Sequence, residues 1–525
     1  MLLFTWLLWL TAGATVIQQR AETPAAPTAT VKNGTYVGVH NDFYNVDYFL
    51  GIPFAQPATG NLRLALPASL NSSFAGVRSG TQLGPGCIGF SAAEINRPIS
   101  EDCLSINIYR PSGYENQSLP VLIWIYGGGF IQGLNADPRY NLTFFVKNSV
   151  SAGKPIVAAS INYRLNGFGF LDSEAIRKAG VANLGLQDQR LALHWVQENI
   201  HAFGGDRSKV TIWGQSAGAM SAGQQLLAYG GRDDGLFRAA IADSGGPLSG
   251  QPPTESQSLA TWNSILNLTG CTGAVDALAC LRSVSTANYT NAVNQTNGRY
   301  APVYDGVFLQ APNTVQIKAG QFVKVPLLIG SNVDEGTGFV GSPPSVGALP
   351  KVSYPNTTSF LDVARGYVRN TTMVDAALAA LSVLYPDIPA IGTPHSHRGR
   401  LNDTFGAQYA RVASLAGDMT IHRGRRVSSQ YWAKYGVPVY SYNFAAWPIG
   451  GFPDFVGTTH FSEIQAVFDN EGGNGYVAPW YPAGSEFAGV GPELVALARL
   501  MSTPPSGYYG LWLSDRISRI FAHPC

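Results

Sequence analysis

Along this chain short apolar runs alternate with longer stretches in which apolar residues recur at helical spacing. Residues 120–126 (PVLIWIY) and 156–163 have the length and composition of buried strands, and the interval between them can hold a crossover. Over 186–203, Leu191, Leu193, Trp195, Val196 and Ile200 follow approximately helical spacing while Asp188, Gln189 and Glu198 fall elsewhere, which predicts a core-facing helix. Further strands are expected at 210–213, 239–242, 325–329 and 438–444, and the first near 35–39. Strands alternating with helices imply an α/β fold with a central, mostly parallel twisted sheet, helices on its faces and a ligand site at the carboxyl ends of the strands. The less regular stretches 245–314 and 342–422 are expected to be helical insertions walling that site, with an Ala- and Leu-rich helix at 374–384.

The strand at 210–213 runs into Gly214-Gln215-Ser216-Ala217-Gly218 and then a helix-like stretch to Leu227. A G-x-S-x-G turn between strand and helix bends too sharply for side chains beside the turning residue and leaves the Ser hydroxyl exposed above the sheet edge. Ser216 is therefore a candidate nucleophile, which needs a base, a group to orient that base, and donors for an oxyanion. The strand at 120–126 leads straight into Gly127-Gly128-Gly129-Phe130, where glycines free the backbone to aim N–H groups at a small target; Ala217 would add another. No Lys-Ser or Lys-Thr pair follows, which argues against a nucleotide cradle. Of eight histidines, His460 stands out, in a loop signal at 457–463 before the apolar stretch 464–468. Between it and Ser216, Asp334 and Glu335 follow the strand at 325–329, and either could be the orienting carboxylate. The order Ser, acid, His is that of the α/β-hydrolases.

With 525 residues and 45% hydrophobic content the chain can build a large core. Its charged fraction of 13%, net charge of +1 and lack of a basic stripe give no basis for binding nucleic acid by counterion release. Residues 1–10 (MLLFTWLLWL), ended by Ala12-Gly13-Ala14, read as a signal peptide over 1–14, too short to span a bilayer. Residues 15–30, rich in Ala, Pro and Thr, are expected to form a flexible leader, and 31–525 a single catalytic domain of a secreted, soluble protein without a membrane span. Asn33, Asn71, Asn116, Asn141, Asn267, Asn288, Asn294, Asn356, Asn370 and Asn402 each begin an N-x-S/T sequon, as suits an exported glycoprotein. No Cys/His cluster suggests a metal, and the chemistry requires no cofactor.

Taken together, Leu50-Gly51-Ile52-Pro53-Phe54-Ala55, Ser100-Glu101-Asp102-Cys103-Leu104, Asn162-Tyr163-Arg164, Asp188-Gln189-Arg190, Asn199-Ile200 with Phe203-Gly204-Gly205-Asp206, and the elbow itself resemble the type-B carboxylesterase/lipase family, which also contains cholinesterases and fungal secreted lipases. The resemblance implies an α/β-hydrolase fold, assigns the acid to Glu335 and the base to His460, and makes Gly128, Gly129 and Ala217 the oxyanion donors. It likens Arg63 with Glu101 and Arg164 with Asp188 to the family's buried ion pairs, and Ser244 to a hydroxyl near the acid and base. Proximity and resemblance together pair Cys87 with Cys103 and Cys271 with Cys280, leaving Cys525 over.

Two departures bear on substrate. The loop between Cys87 and Cys103 is far shorter than the lid of the fungal lipases resembled, which predicts an accessible pocket and an esterase for soluble short- to medium-chain or aryl esters. Gln215 stands where many relatives have Glu, and the short loop lacks the Trp of choline-binding relatives, which argues against a cholinesterase. The expected partner is a small ester; the oligomeric state is left open. A lipase or sterol esterase for long chains is the alternative, and a non-catalytic adhesion homologue is disfavoured by the presence of Ser216, Glu335 and His460.

Overall fold

The computed structural model describes residues 26–90, 97–296, 298–340, 352–368, 371–395, 397, 399–400, 405–446 and 455–470. The signal peptide at 1–14, most of the leader, the sequons at Asn370 and Asn402, and Cys525 lie outside the described residues.

A nine-stranded sheet forms the centre of the described residues. From one edge its strands are Val439–Phe444, Leu327–Asn332, Ala239–Asp243, Gly205–Gln215, Leu119–Ile125, Val157–Ile161, Ser105–Pro111, Val46–Pro53 and Val39–Asn41. Pairings among the first six are parallel and the remaining three antiparallel. The continuous apolar runs are the inner parallel strands: every residue of Val157–Ile161 is buried, as required when helices cover both faces. The flanking helices include Leu142–Ser151, Leu184–Asn199 and Ala217–Gly231. The last loses helical geometry at Ala228, Tyr229 and Gly230, so its regular part ends where the sequence pattern does, at Leu227.

Several boundaries differ from expectation. Residues 28–30, expected at the end of the flexible leader, belong to the strand Thr28–Val31, which pairs antiparallel with Gly34–Val37 and buries its alternate residues Ala29 and Val31. The strand expected at 325–329 is Leu327–Asn332, because pairing with Val439–Phe444 carries it three residues further toward the site. Residue 326 is Pro, which has no N–H to offer a ladder, and the Val325 carbonyl instead accepts from Trp432 Nε1 at 3.0 Å.

The insertions are helical. The first includes Glu255–Thr269, Ala277–Ser283 and Thr286–Gln295; the second, Thr357–Tyr367, Val374–Leu384 and Tyr409–Gly417. Phe360, Val412 and Leu415 belong to a separate apolar cluster in the second insertion. Helix Tyr409–Gly417 lies against the 3-10 turn Glu335–Gly338 so closely that a Cβ on Gly336 would collide with the Ala413 carbonyl. Disulfides join Cys87 to Cys103 and Cys271 to Cys280. Both expected ion pairs are present and buried: Arg63 Nη2 lies 2.5 Å from Glu101 Oε1, and Arg164 Nη2 2.7 Å from Asp188 Oδ1.

Candidate active site

Strand Gly205–Gln215 ends at Ser216, whose φ of 56° and ψ of −123° set it between strand and helix. Its N–H donates to the Asp243 carbonyl at 2.9 Å, tying the turn to the neighbouring strand. The glycines of the elbow are steric requirements. A Cβ on Gly218 would collide with the Ile125 carbonyl oxygen, and one on Gly214 with the backbone of Gly218. Below the elbow, Trp213 stacks on Phe468 with ring centres 4.9 Å apart, and Trp124 packs edge-on to both. That aromatic cluster joins the strand carrying Ser216 to the segment following His460.

His460 Nε2 lies 2.8 Å from Ser216 Oγ and its Nδ1 2.6 Å from Glu335 Oε2. The other Glu335 oxygen accepts the Asn332 N–H at 2.8 Å, so the carboxylate is held by the end of its own strand. Phe339 lies beside the imidazole with ring centres 4.8 Å apart. The loop bearing His460 is tethered from below: Asn332 Nδ2 donates to the Thr459 carbonyl at 2.7 Å, Thr337 Oγ1 bonds Thr459 Oγ1 at 2.7 Å, and the Thr458 N–H donates to Asp334 Oδ2 at 2.9 Å. Asp334, the other candidate acid, faces away. Its Oδ1 accepts from the His395 backbone N–H at 2.8 Å and lies 2.7 Å from His395 Nδ1.

Gly128 (φ 99°) and Gly129 (φ 64°) adopt left-handed backbone that suits glycine, and none of the hydrogen bonds among the described residues uses their N–H groups. The Gly128 carbonyl accepts from the N–H groups of Ile131 and Gln132 at 3.1 and 3.2 Å, which closes the loop. Ala217 opens its helix, so its N–H has no partner within that helix. Donors of this kind, beside a hydroxyl on an imidazole backed by a carboxylate, can stabilise a tetrahedral oxyanion.

The sequence model described as the carboxylesterase family matches residues 25–479. The chain belongs to the carboxylesterase family. It is a carboxylic ester hydrolase with an α/β-hydrolase fold. Its similar proteins include the secreted triacylglycerol lipase LIP1 of Gibberella zeae, 35% identical over 86% of this chain and 79% of that protein. Lipase 5 of Diutina rugosa is 36% identical over 85% of this chain and 83% of its own. The crystal structure of Aspergillus niger EstA superposes with a TM-score of 0.71 at 32% identity, covering 86% of this chain and 84% of that one.

Electrostatics behind the imidazole are dominated by buried acids. Burial opposes the His460 imidazolium, but the charge and hydrogen bond of Glu335, with Glu463 beyond, outweigh it and raise the pKa. Burial likewise opposes the Glu335 carboxylate, and the nearby His460 more than offsets it, so that pKa is lowered. Glu463 accepts from Ser244 Oγ at 3.1 Å and from Asn332 Nδ2 at 2.5 Å; burial, then the charges of Glu335 and Asp243, push it up to about 7. Asp243 is pushed up to about 6 by burial, against hydrogen bonds from Tyr442 and Trp213.

The structure thus brings together Ser216, Glu335, His460 and Ser244, with the glycine loop alongside. Sequence reasoning missed Glu463 and Asp243. The available signal was an acid in an apolar setting: Glu463 directly precedes the apolar stretch 464–468, and Asp243 ends a buried strand. Gln215 is buried, and its Nε2 has no hydrogen-bond partner among the described residues. No group of His, Cys, Asp and Glu among the described residues could hold a metal ion, and no helix among them is long and apolar enough to cross a membrane.

Proposed function

We propose that the protein is a secreted serine carboxylesterase that hydrolyses soluble short- to medium-chain or aryl esters through an acyl-enzyme. The observation that carries this reading is the imidazole of His460 in hydrogen-bond reach of both Ser216 Oγ and Glu335 Oε2. His460 Nε2 takes the Ser216 proton as the oxygen attacks the ester carbonyl, and Glu335 holds the Nδ1–H and stabilises the imidazolium. The N–H groups of Gly128, Gly129 and Ala217 receive the oxyanion. As the tetrahedral species collapses, His460 returns the proton to the leaving alcohol; water then repeats the sequence on the acyl-enzyme and releases the acid.

The preference for soluble esters rests on the Cys87–Cys103 loop, whose cysteines are only 16 positions apart and whose residues 91–96 lie outside the described residues. The neutral Gln215 beside the nucleophile supplies no carboxylate for a cationic alcohol such as choline. A long-chain lipase is the second reading, favoured by relatives that are themselves named lipases. A p-nitrophenyl ester series carried across its solubility limit, beside triglyceride emulsions, separates the two. A smooth saturation curve is expected, and a steep rise once droplets form would favour the lipase. Stoichiometric phosphonylation of Ser216 by an organophosphonate is expected, and its absence would overturn the hydrolytic reading itself.

A further inference from the structure

Tyr126 and Tyr163 follow the last paired residues of two neighbouring parallel strands, Ile125 and Ile161. Both side chains are fully buried, and their rings stack with centres 4.5 Å apart and planes 18° apart. Each phenol bonds the other residue's backbone: Tyr163 Oη donates to the Tyr126 carbonyl at 2.8 Å, and Tyr126 Oη to the Tyr163 carbonyl at 3.1 Å. Strand ladders normally supply such bonds; here, past the end of the ladder, two side chains supply them.

The Tyr126 carbonyl belongs to the peptide that leads into Gly127, Gly128 and Gly129. A peptide is planar, so fixing its carbonyl also fixes the direction of the Gly127 N–H and the course of the chain into the two glycines with positive φ. Those glycines have no Cβ to restrain them, and the loop depends on outside anchors. Beyond the donors, the Gly128 carbonyl is held by Ile131 and Gln132, and the Phe130 carbonyl by the Asn166 N–H at 2.8 Å. Ahead of them, the Tyr163 phenol holds the loop. The same carbonyl faces Gly218 of the elbow, where a Cβ would come within 2.8 Å of it. The Tyr126 ring, for its part, fills the space beside Gly133, where a Cβ would lie 2.6 Å away.

We infer that Tyr163 is a positioning residue for the oxyanion donors: its phenol holds the Tyr126 carbonyl and, through that peptide, sets the Gly128 and Gly129 N–H groups against the Ser216 elbow. The inference rests on the serine-hydrolase reading above. Its effect belongs to the transition state, because those N–H groups are aimed at an oxygen that becomes anionic only there. Substrate binding before attack is left unchanged.

Tyr163→Phe keeps the ring and the stack and removes the one donor. Steady-state kinetics on a soluble p-nitrophenyl ester should show kcat lowered about tenfold to a hundredfold with KM unchanged, the upper end being where the loss of one whole oxyanion donor begins. The Ki of a trifluoromethyl ketone, whose carbonyl carbon bonds Ser216 Oγ to give a tetrahedral oxyanion, should rise by the same factor. Site-specific replacement of Tyr163 by 4-aminophenylalanine, which restores an N–H donor at the same place, should recover part of both. An unchanged kcat, or a lower kcat with ketone affinity intact, would overturn the inference. If Tyr163→Phe is not secreted in folded form, the wild type and the amino variant are compared alone. In the amino variant, kcat and the ketone's inhibition constant shifted by the same factor then support the inference, and a lowered kcat with the ketone's inhibition constant intact overturns it. Failure of the serine-hydrolase reading looks different, since the wild type itself would then neither turn over ester nor bind the ketone through Ser216.

Discussion

Asp334 and Glu335 are adjacent in the chain but serve different histidines: Glu335 Oε2 bonds His460 Nδ1 at 2.6 Å, while Asp334 Oδ1 lies 2.7 Å from His395 Nδ1. One carboxylate backs the imidazole beside Ser216. The other joins the loop at His395 to the loop at Thr458, whose N–H it accepts.

That division predicts opposite outcomes for two isosteric changes. Glu335→Gln should lower kcat by roughly 10⁴, the scale of replacing a triad acid by its amide, with little change in thermal midpoint. Asp334→Asn should lower the thermal midpoint and cost turnover less than about tenfold, because it weakens a tether and leaves the Glu335 contact in place. Steady-state kinetics and calorimetry on the two variants check this, and equal losses of kcat would remove the distinction.

On the proposed mechanism the acid limb of the pH–rate profile reports His460, which accepts a proton only when neutral. Its pKa is raised, so kcat/KM should fall with an apparent pKa above the ordinary histidine value of about 6.5. Glu463→Gln removes a negative charge that favours the imidazolium and should move the limb to lower pH. A limb that stays in place in the variant would show that Glu463 does not act on His460.

Stability should carry the opposite signature of the same acid. Glu463 has an ordinary value of 4.5 and is pushed up to about 7 in the fold. Between those values the folded protein keeps a proton that the unfolded chain has released, so the stability this group contributes is lost as pH climbs through that window. Asp243, pushed from 3.8 up to about 6, acts in the same direction. Glu463→Gln has no proton to lose. Its thermal midpoint relative to wild type should therefore rise from pH 5 to pH 8, and a difference constant with pH would contradict the assignment.

Arg63 joins Glu101 and also donates to the carbonyls of Leu281 and Val284 in the first insertion. Arg63→Met would strand the buried Glu101 carboxylate and should cost about 3–5 kcal/mol in denaturant unfolding. Adding Glu101→Leu should recover only part of this, because the two insertion carbonyls still lose their donor.

The sheet was largely legible in the sequence because its inner strands are buried on both faces and read as largely apolar runs, such as residues 121–125 (VLIWI). Ser216 was legible because its turn excludes side chains at Gly214 and Gly218. The choice of Glu335 over Asp334 was not, since neighbouring carboxylates differ only in what each meets after folding; resemblance to the family made that choice. Glu463 and Asp243 escaped for a related reason. Their partners come from distant segments, Ser244 lying 219 positions from Glu463 and Tyr442 199 from Asp243, and no local pattern records such meetings. Residues 28–30 read as leader because their composition resembles a linker; pairing of Thr28–Val31 with Gly34–Val37 overrides that propensity.

His460 reaches Ser216 from a loop, whereas Ser216 and Glu335 sit at the ends of inner strands, and a few hydrogen bonds from Asn332, Thr337 and Asp334 hold that loop down. Loops fastened in this way open at lower free energy than the sheet beneath them. Mild urea or gentle heating should therefore silence the enzyme while its far-ultraviolet circular dichroism is still native, and dilution or cooling should restore turnover at the speed of a loop settling back into place.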